Sequence, residues 1–168
     1  MERYETWTTE EALKRAWHPK ILALHEYWKS IHPQEGLPSR RDLDPIDIPQ
    51  LLPSIWLLDV QRDPWRFRYR LMGSRIVATM EGQRNYTGRW LDEVHPNFRS
   101  EEGVEQRYVR VAAEGRPSWR QGQPSFRLVR DWVSIQNVVL PLASDHVQVD
   151  MLLCGSVMLN AKGEEQAL

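Results

Sequence analysis

The chain has 168 residues, 41% of them hydrophobic and 27% charged, a length that suits one domain with a core of its own. Eight tryptophans argue against disorder, and 22 basic residues against 23 acidic ones leave no global field to draw the chain to nucleic acid or a membrane surface. The single cysteine, Cys154, excludes an internal disulfide framework and a cysteine-rich metal site.

The polar start, Met1 to Trp7, lacks the apolar stretch of a signal peptide, so the expected location is the cytoplasm. Apolar runs such as 55–60 are far too short to cross a bilayer. Thr8 or Thr9 followed by Glu10 and Glu11 predicts a capped helix start. Beyond it Trp17, Ile21, Leu24, Trp28 and Ile31 recur at spacings of four and three, an apolar helical stripe that Pro19 interrupts or restarts near His18. Gly36 and Pro38 open a linker, and Asp44 with Pro45 predicts one short helix through Leu52.

A hairpin is predicted next, with strands over 55–61 and 65–72 around the turn Arg62-Asp-Pro64. In the second strand Phe67, Tyr69 and Leu71 alternate with Arg66, Arg68 and Arg70, the mark of a half-buried antiparallel strand. Gly73-Ser74 then starts a short helix through Met80, a loop covers 82–88, and 90–94 forms a turn. The span 97–114 reads as a longer helix that Gly115 ends. Strands over 117–123, 128–140 and 149–159 follow, and 161–168 reads as a polar tail. Five antiparallel strands with their helices gathered on one face, plus a flanking helix over 1–34, satisfy this order: an α+β domain over 35–160.

Local sequence sharpens the assignment. The strings that carry it are Leu37-Pro-Ser-Arg-Arg-Asp-Leu-Asp-Pro45, Leu51-Leu-Pro53 and Trp56-Leu-Leu-Asp-Val60, then Phe67-Arg-Tyr-Arg-Leu-Met-Gly-Ser-Arg75 and Tyr86-Thr-Gly-Arg-Trp-Leu-Asp-Glu-Val94. Val138-Val-Leu-Pro-Leu-Ala143 and Val149-Asp-Met-Leu-Leu-Cys-Gly155 complete the set. In their order and spacing the chain resembles a family of small stand-alone PAS domain proteins, mainly alphaproteobacterial and long catalogued as a domain of unknown function. The last turn, Asp145-His-Val-Gln148, departs from the glycine-containing turn usual there. The resemblance implies a PAS-like five-stranded sheet and a signalling role through small-molecule sensing or protein pairing, while fold alone names no ligand.

Such a fold places a cavity between the sheet and the helical insert. The strand phases predict that Tyr69, Leu71, Ile135, Asn137, Val139 and Leu153 line it, with Ile76, Met80, Trp90 and Tyr108 opposite. Asn137 is its polar candidate, and a closed core in which Asn137 bonds to backbone is the alternative. Light-sensing relatives carry a reactive cysteine in the insert, where this chain has Tyr86; Cys154 falls in the final strand as inert core. For haem, no histidine among His25, His32 and His95 is convincingly placed, and Asp145-His146 is no metal site. The cofactor is therefore unassigned.

The guanidinium strand Arg66, Arg68 and Arg70, with Arg62, Arg75 and Arg127 or Arg130, could meet an acidic or phosphorylated partner. Alternatively it is an outer face neutralised by acids of the same chain or covered by the first helix. The stripe Trp17, Ile21, Leu24, Trp28 and Ile31 must pack on its own sheet or on a second copy, and the expectation is a homodimer to which this helix contributes. No glycine loop for phosphate, metal-ligand spacing or nucleophile elbow stands out, so the expected role is regulatory rather than enzymatic. The expected partner is an unidentified signalling protein, with a small-molecule sensor module as the runner-up.

Overall fold

The structure, a computed structural model, describes residues 4–124 and 134–165. One antiparallel sheet of six strands organises it: β1 (Tyr4–Trp7), β2 (Ile55–Gln61), β3 (Arg66–Met72), β4 (Ser118–Gly122), β5 (Ser134–Leu142) and β6 (Met151–Leu159). Across the sheet they run β1-β4-β5-β6-β2-β3. The two predicted groups of strands meet where β6 pairs with β2, Leu57 opposite Leu153. The sixth strand was not foreseen: β1 joins the free edge of β4, with Trp7 opposite Trp119. The residues 128–133 assigned to the fourth expected strand, with Arg127 and Arg130, lie outside the described residues.

Both faces of the sheet are covered. On the outer face lies α2 (Pro19–Ser30), which follows the single turn of α1 (Thr9–Ala12). Thr8 and Glu11 close a reciprocal cap on α1, while α2 starts on Pro19 with His18 Nδ1 accepting the Lys20 N–H at 3.2 Å. The helical stripe is spent on this contact. Trp17, Ile21, Leu24 and Trp28 are buried against Leu57, Val138, Leu140, Leu153 and Val157, and Ile31 is half-buried at the rim. Of the two readings open in the sequence, packing on the chain's own sheet is the one observed. Four of the five stripe side chains are thereby withdrawn from contact with a second copy, and Ile31 alone keeps part of its surface.

Gly155 on β6 permits that seat. A Cβ there would collide with Leu24 Cδ2. Trp28 adds a donor, its indole N–H bonding the Pro141 carbonyl at 2.9 Å.

The inner face carries α3 (Ser74–Thr79), α4 (Leu91–Val94) and α5 (Val104–Glu114), the insert between β3 and β4. Gly73 hinges the entry to α3: an added Cβ would meet the carbonyl oxygens of Leu52, Pro53 and Ile55, so only glycine lets the backbones approach this closely. Gly115 ends α5 at a positive φ of 66°. The free edge of β3 is sealed by the loop before α4, since the Tyr69 N–H bonds the Arg89 carbonyl and the Gly88 N–H bonds the Tyr69 carbonyl. A turn follows β6. Asn160 Oδ1 accepts the N–H groups of Lys162 and Glu164, turning residues 160–165 back so that Glu165 bridges Leu159. Residues 161–164 are exposed in this turn, and Glu165 alone of the segment is drawn in against Leu159.

Candidate functional site

The inner face combines an aromatic wall with a buried polar network. Phe67 and Tyr69 on β3 and Trp56 on β2 point into it, and Phe98 and Tyr108 descend from the insert. Tyr108 lies within ring-contact distance of Trp56, Phe67 and Phe98, between 5.7 and 6.2 Å centroid to centroid. Leu58, Val139, Leu152 and Cys154 floor the site, and Ile76 and Met80 of the α3 region close one side.

Four polar residues cross this apolar setting in a chain. Arg107 of α5 reaches down to Asn137 Oδ1 at 2.6 Å and to Ser118 Oγ at 2.9 Å. Asn137 in turn donates to Ser156 Oγ at 2.8 Å and to the Gly155 carbonyl at 3.1 Å. The Trp56 indole donates to the same Ser156 hydroxyl at 3.1 Å. The network links α5 to β4, β5, β6 and β2, so its satisfaction reports the relative seating of insert and sheet. Arg120 is also buried, standing beside Asn137 in register on β4, and its guanidinium holds the Gln123 carbonyl at 2.5 Å.

A second polar pair lies toward the β3 edge. The Tyr69 hydroxyl and His95 Nε2 are 2.6 Å apart and both residues are buried. Tyr86 stacks over Tyr69 at 6.4 Å and meets the His95 ring edge-on. Burial alone draws the His95 imidazole down to about 4. Burial likewise pushes the Tyr69 and Tyr108 phenols and the Cys154 thiol above their ordinary values. At neutral pH these four groups are uncharged. The site is therefore equipped to hold and orient a molecule or a packing state, with no thiolate at Cys154 to act as nucleophile.

Of the residues expected to line the cavity, Tyr69, Ile76, Met80, Tyr108, Asn137 and Val139 do come together here. Leu71 does not. The register of β2 with β3 slips at Leu57/Leu58, so Leu58 faces Tyr69 while Leu57 faces Leu71, and Arg70 is the extra residue. Past that bulge Leu71 turns outward, 39% exposed, and Met72 takes the inner position. Leu153 is also corrected: it is buried on the outer face under α2, and its neighbours Leu152 and Cys154 point inward. Ile135 forms a separate small contact with Met158. Trp90 lies half-buried at the β3 edge beneath Arg66 and Arg68, whose guanidinium carbons stand 4.2 and 5.4 Å from its ring centre.

The arginine strand proves largely self-neutralised. Arg66 pairs with Asp92 at 3.0 Å and Glu93 at 3.2 Å, and Arg68 with Asp59 at 3.1 Å. Arg62 donates to the Ala112 carbonyl and stacks on Trp65, Arg75 pairs with Glu165, and Arg70 alone of the three strand arginines is exposed. Sequence reasoning missed Arg107 and His95 as members of the site. Arg107 reads as one more charge on an amphipathic helix, and only the fold sets it opposite Asn137.

The fit to a cofactor can be tested on these contacts. His95 Nε2 is engaged by Tyr69, His32 Nδ1 is hydrogen-bonded to the Trp28 carbonyl at 2.8 Å, and His25 is buried on the opposite face. None of these contacts sets a histidine up as an axial ligand at the inner face. Among the described residues no cluster of three or more His, Cys, Asp or Glu could hold a metal ion, and no helix is long and apolar enough to cross a membrane.

An antiparallel sheet cupping a helical insert, with rings and a central polar network between them, defines an α+β module of the PAS type. A family model for the PAS domain matches residues 16–157, most of the chain. The protein belongs to the PAS domain family. A search of curated proteins gives no match.

Proposed function

We propose that the chain is a cytoplasmic sensory or regulatory PAS module whose inner face reads occupancy or packing state and passes it on by contact with another protein. Family membership supports a sensory role rather than a catalytic one. One observation carries the reading: the network from Arg107 through Asn137 to Ser156 and Trp56, which joins the insert to three strands inside an aromatic enclosure. A merely structural core is better served by aliphatic filling, because each buried polar group must be matched or its desolvation is lost outright. A small polar ligand that exchanges hydrogen bonds with Arg107 or Asn137 would reseat α5 on the sheet.

Native mass spectrometry of freshly purified protein tests this. A reproducible adduct that disappears in Asn137→Leu supports ligand sensing at this site. A bare mass in every preparation reduces the role to protein contact alone. The oligomeric state is a separate question, answered by light scattering at micromolar concentration.

A further inference from the structure

One carboxylate gathers cations from both sides of the sheet. Glu165 Oε2 stands 2.6 Å from Lys20 Nζ on α2, which packs on the outer face. Its other oxygen, Oε1, makes a close ion pair with Arg75 Nε at 2.7 Å, contact by charge rather than an aligned hydrogen bond. Arg75 belongs to the first turn of α3, the start of the insert on the inner face. His18 Nε2 lies 3.8 Å from the same carboxylate, and its Nδ1 caps the Lys20 N–H. The Glu165 side chain is only 11% exposed. A desolvated carboxylate of this kind persists where its cations persist. The Asn160-centred turn and the bridge to Leu159 deliver it to this point.

We propose that residues 160–165 form a latch that couples α2 to α3 around the end of the sheet, with the Glu165 carboxylate as the shared element. Lys20 and Arg75 sit on separate helices on opposite faces, so a shift of α3 that withdraws Arg75 weakens the hold on Glu165 and thereby loosens the first turn of α2. The latch gives a rearrangement of the insert a route to the outer face. It stands whether or not the inner face takes a ligand.

Hydrogen–deuterium exchange on the full chain decides the matter. Arg75→Met should raise exchange in residues 18–24 and 159–165 by about fivefold or more, as expected of a coupling between sites, and Lys20→Met should do the same in 74–79. Both cross-effects should vanish in the E165Q background. The latch is overturned if each substitution disturbs only its own helix, or if the cross-effects persist in E165Q. Should E165Q lose its folded circular-dichroism baseline, the Lys20→Met and Arg75→Met cycle in the wild-type background decides instead. Effects on stability that add simply overturn the coupling, and effects that are less than additive support it.

Discussion

The buried Tyr69–His95 pair makes stability depend on pH in a defined direction. In the unfolded chain His95 titrates near its ordinary value of 6.5, and in the folded state burial lowers it to about 4. Above 6.5 both states hold a neutral ring and the residue contributes no pH dependence. Between 6.5 and 4 the unfolded state takes up a proton that the folded state refuses, so stability falls as the pH falls. The separation of roughly 2.5 units, at about 1.36 kcal/mol per unit, corresponds to about 3 kcal/mol lost by pH 4. His95→Gln keeps a polar atom near the Nε2 position and removes the titration. Urea unfolding followed by tryptophan fluorescence at pH 7.5, 6.5, 5.5 and 4.5 gives the comparison. The difference between wild type and variant should shrink or reverse by about 2.5 kcal/mol between pH 7.5 and 4.5, while other groups titrate equally in both and cancel. Burial also lowers His25 and His18, which act in the same direction in both proteins. Stability curves that stay parallel from pH 7.5 to 4.5 would refute the burial argument for His95.

Three further outcomes are expected. Gly155→Ala drives a methyl into Leu24 and should cost about 1–3 kcal/mol by chemical denaturation; Leu24→Ala in the same chain should recover part of that loss, so the pair is non-additive. Asn137→Leu leaves the Arg107 guanidinium and the Ser156 hydroxyl short of a buried partner and should lower stability by about 3–5 kcal/mol, whereas a loss under 1 kcal/mol would show that water or a ligand substitutes. The Cys154 thiol, fully buried with its ionisation suppressed by burial, should resist a thiol-specific reagent at pH 8 in native protein and react promptly in denaturant; fast labelling of native protein would mean that the inner face opens readily.

Much of the architecture is legible wherever a segment has one wet face. The arginine alternation of 66–70 announces a strand, the spacing from Trp17 to Trp28 announces α2, and Asp44-Pro45 does cap a 3₁₀ turn, although it spans only Pro45–Asp47 and the expected single helix through Leu52 is broken there. The resemblance carried by the 67–75 and 86–94 strings locates the insert, and Gly73 within the first of them is required by backbone approach. Legibility stops where both faces are dry. β5 and β6 are buried along almost their whole length, so their apolar runs hold no period-two signal and Leu153 was assigned to the wrong side. A single bulge at Arg70 has the same effect on Leu71, since one inserted residue reverses every side chain beyond it. β1 is too short, at four residues, to show a pattern, and its strand state comes from the edge it meets.

What the sequence by itself determined is therefore local: which spans extend, which coil, where they are capped, and that the order is that of a PAS domain. Tertiary structure alone decided which residues meet across long separations. It set Arg107 against Asn137, His95 against Tyr69, and Glu165 against Lys20 and Arg75. Propensity and periodicity act over a few neighbouring residues, whereas these contacts depend on the register and curvature of a closed sheet. Those are settled only when all of its strands and both covering layers pack at once.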